Sequence, residues 1–217
     1  FLPELPRKAN SGGFLESLRP VPSLLWNPGL LMAGIGGFLA SSMVALTAVL
    51  LIPYLRETGY SEAMVGYLGA TVQGGSVVVG IVFGALLSKF GQQLLYTIAL
   101  AALGVGLVMV PLSQPFFIFL IPVLLGLGIG RGSVGILYVV TGSANSVPEQ
   151  RGIALGVVGL YWGTAQLIMP LTLGALASNI GLAQSFYVAG AAYLMASAIV
   201  ALLYPKLTRG SRLVNER

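Results

Sequence analysis

The chain has 217 residues, 56% hydrophobic and 8% charged, with a mean hydropathy of +0.92. A soluble domain carries about 25% charged residues, so this is an integral membrane protein whose solvent is the lipid bilayer. There is no Cys, His or Asp, and all six acids are Glu, which removes disulfides, most metal sites and the usual nucleophile–base pairs and predicts no metal, no cofactor and no enzyme. The net charge of +5 is not a nucleic-acid signal, because the basic residues sit at the ends of apolar runs, where membrane topology uses them.

The first residue is Phe, and no n-region, h-region and cleavage site precede the apolar runs, so the chain reads as a fragment or a product separated from a longer precursor. Residues 1–25 hold Pro3, Pro6, Gly12, Gly13, Pro20 and Pro22 with Arg7, Lys8 and Arg19. They read as a polar linker with a short amphipathic turn around Phe14–Leu18. Six apolar runs follow, roughly 28–55, 61–88, 93–112, 114–143, 148–178 and 182–204. A bilayer core needs about 20 apolar residues per helix, whereas transmembrane strands are about 10 residues with dyad alternation, so the runs predict helices. Pro28 and Pro148 suit helix starts, and Ser61 is a candidate N-cap followed by Glu62 at the positive helix end. The transmembrane bundle is expected over 26–206, with a basic tail at 207–217. With both termini cytoplasmic, the cytoplasmic segments carry Arg7, Lys8, Arg19, Lys89, Arg151, Lys206, Arg209, Arg212 and Arg217, against Arg56 alone outside. The positive-inside rule and an even span count therefore agree, and the plasma (inner) membrane is the expected location.

The segment Gly84-Ala85-Leu86-Leu87-Ser88-Lys89-Phe90-Gly91 recurs ninety positions later as Gly174-Ala175-Leu176-Ala177-Ser178-Asn179-Ile180-Gly181. Upstream of the first lie Gly80, Ser76, Gln73, Gly69 and Gly66; at the same offsets upstream of the second lie Pro170, Gln166, Gly163, Gly159 and Gly156. Alternating steps of three and four put each set on one helix face. The same offset lays Gly36 on Gly126, Trp26 on Phe116 and Ala101 on Ala191. The chain thus reads as one three-helix unit used twice, 26–113 and 114–206. With three spans per unit, the second copy must be inverted, an organisation typical of secondary transporters whose substrate site lies near the midplane between repeats.

These segments resemble the major facilitator superfamily, specifically its C-terminal six-helix half. Gly84–Gly91 with Gln92 and Gln93 is similar to the family loop G-x-L-a-D-r-x-G-r-k between the second and third helices of each half, with Ser88 in place of the Asp, Lys89 in place of the Arg, and glutamines in place of the basic pair. Ser143–Gly156, reading SANSVPEQRGIALG, resembles the cytoplasmic loop entering the eleventh helix, and Leu51–Leu55 with Gly59-Tyr60-Ser61 resembles the end of helix seven and the start of eight. The resemblance implies helices seven to twelve, with helices one to six forming a missing N-terminal half that would be a partner. It implies a rocker-switch mechanism in which helices seven and ten line the cavity while eight and eleven pack against the other half.

Arg131, in Gly126-Leu127-Gly128-Ile129-Gly130-Arg131-Gly132, is the one charge placed well inside an apolar run. At bilayer depth it costs at least about 2.5–3.5 kcal/mol, so it should face a cavity or a partner. Its readings are a substrate counter-charge, an ion pair or hydrogen bond that locks packing, or snorkelling toward the cytoplasmic end. The family's motif Arg in the matching helix of the first half would correspond to Leu124, so Arg131 is a different feature. The surrounding glycines mimic a dinucleotide fingerprint but lack its strand, helix and acid; close helix packing is their expected use. Gln73 and Gln166 must bridge helices or line a polar cavity. Tyr138, Tyr161 and Trp162 lie deep enough for a pathway, although aromatic core packing is the default. The candidate pathway set is Arg131, Gln73, Gln166, Trp162 and Tyr138. The helix-packing and gating set is Gly66, Gly69, Gly84, Gly156, Gly159, Gly163 and Gly174. Trp26 and Tyr204 read as interfacial belt residues. The expected function is secondary transport of a small-molecule substrate; the alternatives are a scaffold or receptor on the same fold, or a half that dimerises.

Overall fold

The computed structural model describes residues 19–113 and 120–215, with Leu125 and 205–215 described by backbone alone. The Phe14–Leu18 turn, Gln114 and Phe116 lie outside the described residues, as do residues 1–18 of the linker and the side chains of the basic tail. The described residues are almost wholly helical and contain no strand. A short helix α1 (Val21–Leu25) precedes six helices long and apolar enough to cross a membrane: α2 (Pro28–Glu57), α3 (Glu62–Phe90), α4 (Gln92–Leu112), α5 (Leu120–Ala144), α6 (Pro148–Ile180) and α7 (Leu182–Asn215), the last spanning with its Leu182–Tyr204 portion.

Local chemistry explains the boundaries. Asn27 caps α2 by accepting from the Gly29 and Leu30 amides at 2.9 and 3.2 Å, with Pro28 inside the cap. Ser61 caps α3 by accepting from the Met64 amide at 3.4 Å. The ends of α2 and α3 are also tied by Arg56, which forks onto Glu62, not its neighbour Glu57, at 3.0 and 3.2 Å. The first and fourth spans are interrupted by wide π-helical turns, Thr47–Leu51 ahead of Pro53 and Val123–Gly130 after Pro122. Pro53 withholds the amide that would otherwise close a regular turn onto Val49.

The two copies are visible in the packing. Helix α2 packs on α6 as α5 packs on α3, and α4 packs on α7. The octapeptides end both middle helices alike. Ser88 and Ser178 donate to the carbonyls of Ala85 and Ala175 at 3.0 and 2.9 Å, and the Gly91 and Gly181 amides donate to Leu87 and Ala177 at 3.0 and 2.9 Å. Both corners use the same backbone, φ 73° and ψ 163° at Gly91 and φ 88° and ψ 162° at Gly181. That region belongs to glycine almost alone, because a Cβ there strains the chain by about 1–3 kcal/mol. Gly91→Ala and Gly181→Ala are each expected to lower stability by about that amount, read as a shifted thermal midpoint in detergent.

The core lies among α2, α4, α5 and α7, around Leu46, Leu50, Leu100, Leu103, Leu107, Leu127 and Leu137. Polar side chains stitch its crossings: Gln92 donates to Thr141 Oγ1 at 2.6 Å, Gln93 to Ala201 O at 3.0 Å, Ser197 to Thr97 O at 2.8 Å and Tyr193 to Leu39 O at 2.7 Å. Tyr96 and its repeat-mate Phe186 are both fully buried. The Tyr96 hydroxyl finds no partner among the described residues, and a buried unsatisfied hydroxyl costs about 1–3 kcal/mol. Tyr96→Phe is therefore expected to hold or raise the thermal midpoint; a clear fall would show that the hydroxyl has a bonded role. Tyr204, read from sequence as a belt residue, is instead buried at 7% exposure beside Tyr96, with ring centroids 6.4 Å apart, whereas Trp26 is 83% exposed as a belt residue should be.

Within the half, close helix approach is made by the glycine run around Arg131, the use expected for it. A Cβ on Gly106 would stand 2.6 Å from the Gly126 Cα, and one on Gly75 2.9 Å from the Gly128 Cα. The glycine run before Arg131 therefore lets α5 meet α4 and α3 backbone to backbone. By contrast, a Cβ added to Gly66, Gly69, Gly84, Gly156, Gly159, Gly163 or Gly174 would meet nothing within 4 Å. These seven do not pack helices within this chain, because the small-residue faces of α3 and α6, the two least buried spans, turn outward.

Candidate functional site

Positions 131, 135 and 138 share one face of α5, being four and three residues apart. That face, with Gln73 and Ser76 of α3, Ala40 of α2 and Trp162 of α6, encloses a polar recess of about 230 Å³. Four of the five predicted pathway residues, Arg131, Gln73, Tyr138 and Trp162, line it. Gln166 does not. It sits one helical turn beyond Trp162, and its amide turns back to the Ser41 carbonyl at 3.5 Å, a long and weak bond. Its repeat-mate Ser76 also donates to the first helix of the opposite copy, at 3.2 Å to the Gly128 carbonyl.

The walls are held in place by backbone contacts. Gly132 lets α3 approach so closely that a Cβ would stand 2.7 Å from the Ser76 Cα, which brings Gln73 alongside Arg131. On the far wall, Ser41 donates to the Trp162 carbonyl at 2.9 Å and ties α2 to α6. The Tyr138 and Trp162 ring centroids lie 5.9 Å apart with their planes tilted by 34°, forming an aromatic part of the lining. Tyr161 points elsewhere and packs on Gly34 within a second cluster that includes Leu24, Leu30 and Ala154.

Arg131 follows the π-helical stretch directly and lies half-buried at the middle of α5. It forms no ion pair or hydrogen bond with any described residue, and no other charged side chain lines the recess. The described acids Glu57, Glu62 and Glu149 all lie at span ends.

A larger cleft of about 380 Å³ between α2, α6 and α7 is lined by Phe38, Leu46, Met169, Leu173 and Val188. Its hydroxyls are already spent on the backbone, Ser42 on Phe38 O at 2.7 Å, Thr172 on Met169 O at 3.1 Å and Tyr193 on Leu39 O at 2.7 Å. With no free polar group it offers no orienting chemistry, so the smaller recess is the candidate site. Sequence reading passed over Ser76, Gly132 and Gly135 as lining residues. Their spacing from Gln73 and Arg131 was the available signal.

Six helices long and apolar enough to cross a membrane define a multi-pass membrane protein. The family model for the Major Facilitator Superfamily matches residues 33–217, and the chain belongs to that transporter family. No curated relative matches the chain.

Proposed function

We propose that the chain is the C-terminal six-helix half of a secondary transporter that carries a small solute by alternating access, with the recess at Arg131 as its share of the pathway. The observation that carries this reading is an Arg without a counter-ion among the described residues, held at mid-span beside a free amide and an aromatic pair. A structural Arg at that depth would be paired, since an unpaired charge in hydrocarbon is costly. The outward glycine faces of α3 and α6 would seat the N-terminal half, leaving α2 and α5 on the cavity. The π-helical turns of α2 and α5 lie in the two helices that would bend during the rocking of the halves. In this reading both termini are cytoplasmic and the plasma membrane is the location.

The test is flux. The intact protein, reconstituted into liposomes, should exchange a small solute across the bilayer with saturation kinetics. Binding without flux would favour a scaffold or receptor on the same fold.

A further inference from the structure

We propose that the recess binds a monoanionic organic solute, a monocarboxylate with an apolar or aromatic body, and that Arg131 is its counter-charge. The inference rests on the transport reading above and names the substrate class for the same recess.

Charge sets the anion. Among the described residues, Arg131 is the one charged side chain on this half's share of the recess wall, so this chain supplies the counter-charge for a single negative charge. A dianion would leave its second charge unmatched by this wall in a low-dielectric site. Geometry sets the headgroup, because the guanidinium fork matches the two oxygens of a carboxylate. Gln73 lines the same wall and has an amide that makes no bond to a described residue, which supplies a further donor. Ser76 is by contrast committed to the carbonyls of Val72 and Gly128.

The apolar part of the lining sets the body. Tyr138, Trp162, Ala40 and the bare backbone of Gly135 present aromatic and aliphatic surface with no second charge. An inorganic anion would leave that surface unmatched, whereas an aryl or short alkyl group covers it.

The experiment is equilibrium binding of radiolabelled benzoate to the intact protein in lipid nanodiscs, with benzamide, phthalate and chloride as competitors. Benzoate should bind saturably and be displaced poorly by the other three. Arg131→Gln should weaken benzoate binding about 30-fold or more, as expected when one member of a buried charge pair is removed, and Arg131→Lys should retain part of it. Trp162→Leu should weaken benzoate more than acetate. Equal competition by benzamide, chloride competing as well as benzoate, or unchanged binding in Arg131→Gln on folded protein would each overturn the proposal. Flux separates the two readings. Benzoate binding without any flux would spare the anion site and sink the transporter, whereas solute flux without anion preference would do the reverse.

Discussion

Arg131→Gln in the intact protein is expected to lower solute flux by about 30-fold or more while leaving the folded yield at or above that of the parent. Stranding or removing one member of a buried charge pair costs about 2–5 kcal/mol, and each 1.4 kcal/mol is tenfold. Folding should not suffer, because Arg131 makes no bond to a described residue that the substitution would break. Removing a charge from mid-span also lifts an insertion cost. Initial uptake rates, normalised to monodisperse protein on size exclusion, decide the matter. Unchanged uptake, or a collapse in folded yield, would return Arg131 to a packing role.

Gly126→Val should do the opposite and remove folded protein altogether. A Cβ there would stand 2.5 Å from the Gly106 Cα and 3.0 Å from the Ala102 carbonyl. Neither is a flexible side chain that could swing aside, so α4 and α5 must separate along their length. Overpacking of a core costs about 1–3 kcal/mol when side chains can adjust; a backbone clash exceeds that. Gly66→Val and Gly163→Val make the matched comparison, since a Cβ at either position meets nothing within 4 Å among the described residues. They should leave the six-helix half folded but weaken its association with the other half, read by co-purification of the two halves expressed as separate chains. Full association in both variants would sink the docking role of the α3 and α6 faces, and normal folding of Gly126→Val would sink the α4–α5 approach.

The architecture was legible because membrane spans declare themselves by length, and because one octapeptide and one small-residue register repeat at a fixed offset. The Asn27, Ser61, Gly91 and Gly181 boundaries follow from ordinary cap and corner chemistry. Which face of each span turns inward was much less legible. In lipid the core face and the outer face are both apolar, so no amphipathic pattern marks them. The outward direction of Gly66 and Gly163, and the burial of Tyr96 and Tyr204, depend on how the helices cross. For the recess, residue type was the guide: Arg131, Gln73, Tyr138 and Trp162 stand out in an apolar chain. Gln166 stood out equally and lies elsewhere, because one helical turn moves it past the recess to the Ser41 carbonyl.

The two glycine corners differ where it matters for biogenesis. Their backbones are superimposable in dihedral terms, and Ser88 and Ser178 make the same bond, yet Lys89 in one copy is Asn179 in the other. In the proposed orientation the Lys89 corner is cytoplasmic and the Asn179 corner is outside, where a lysine would pull the wrong corner toward the basic side. The corner kept every atom that shapes the turn and exchanged the one side chain that steers insertion.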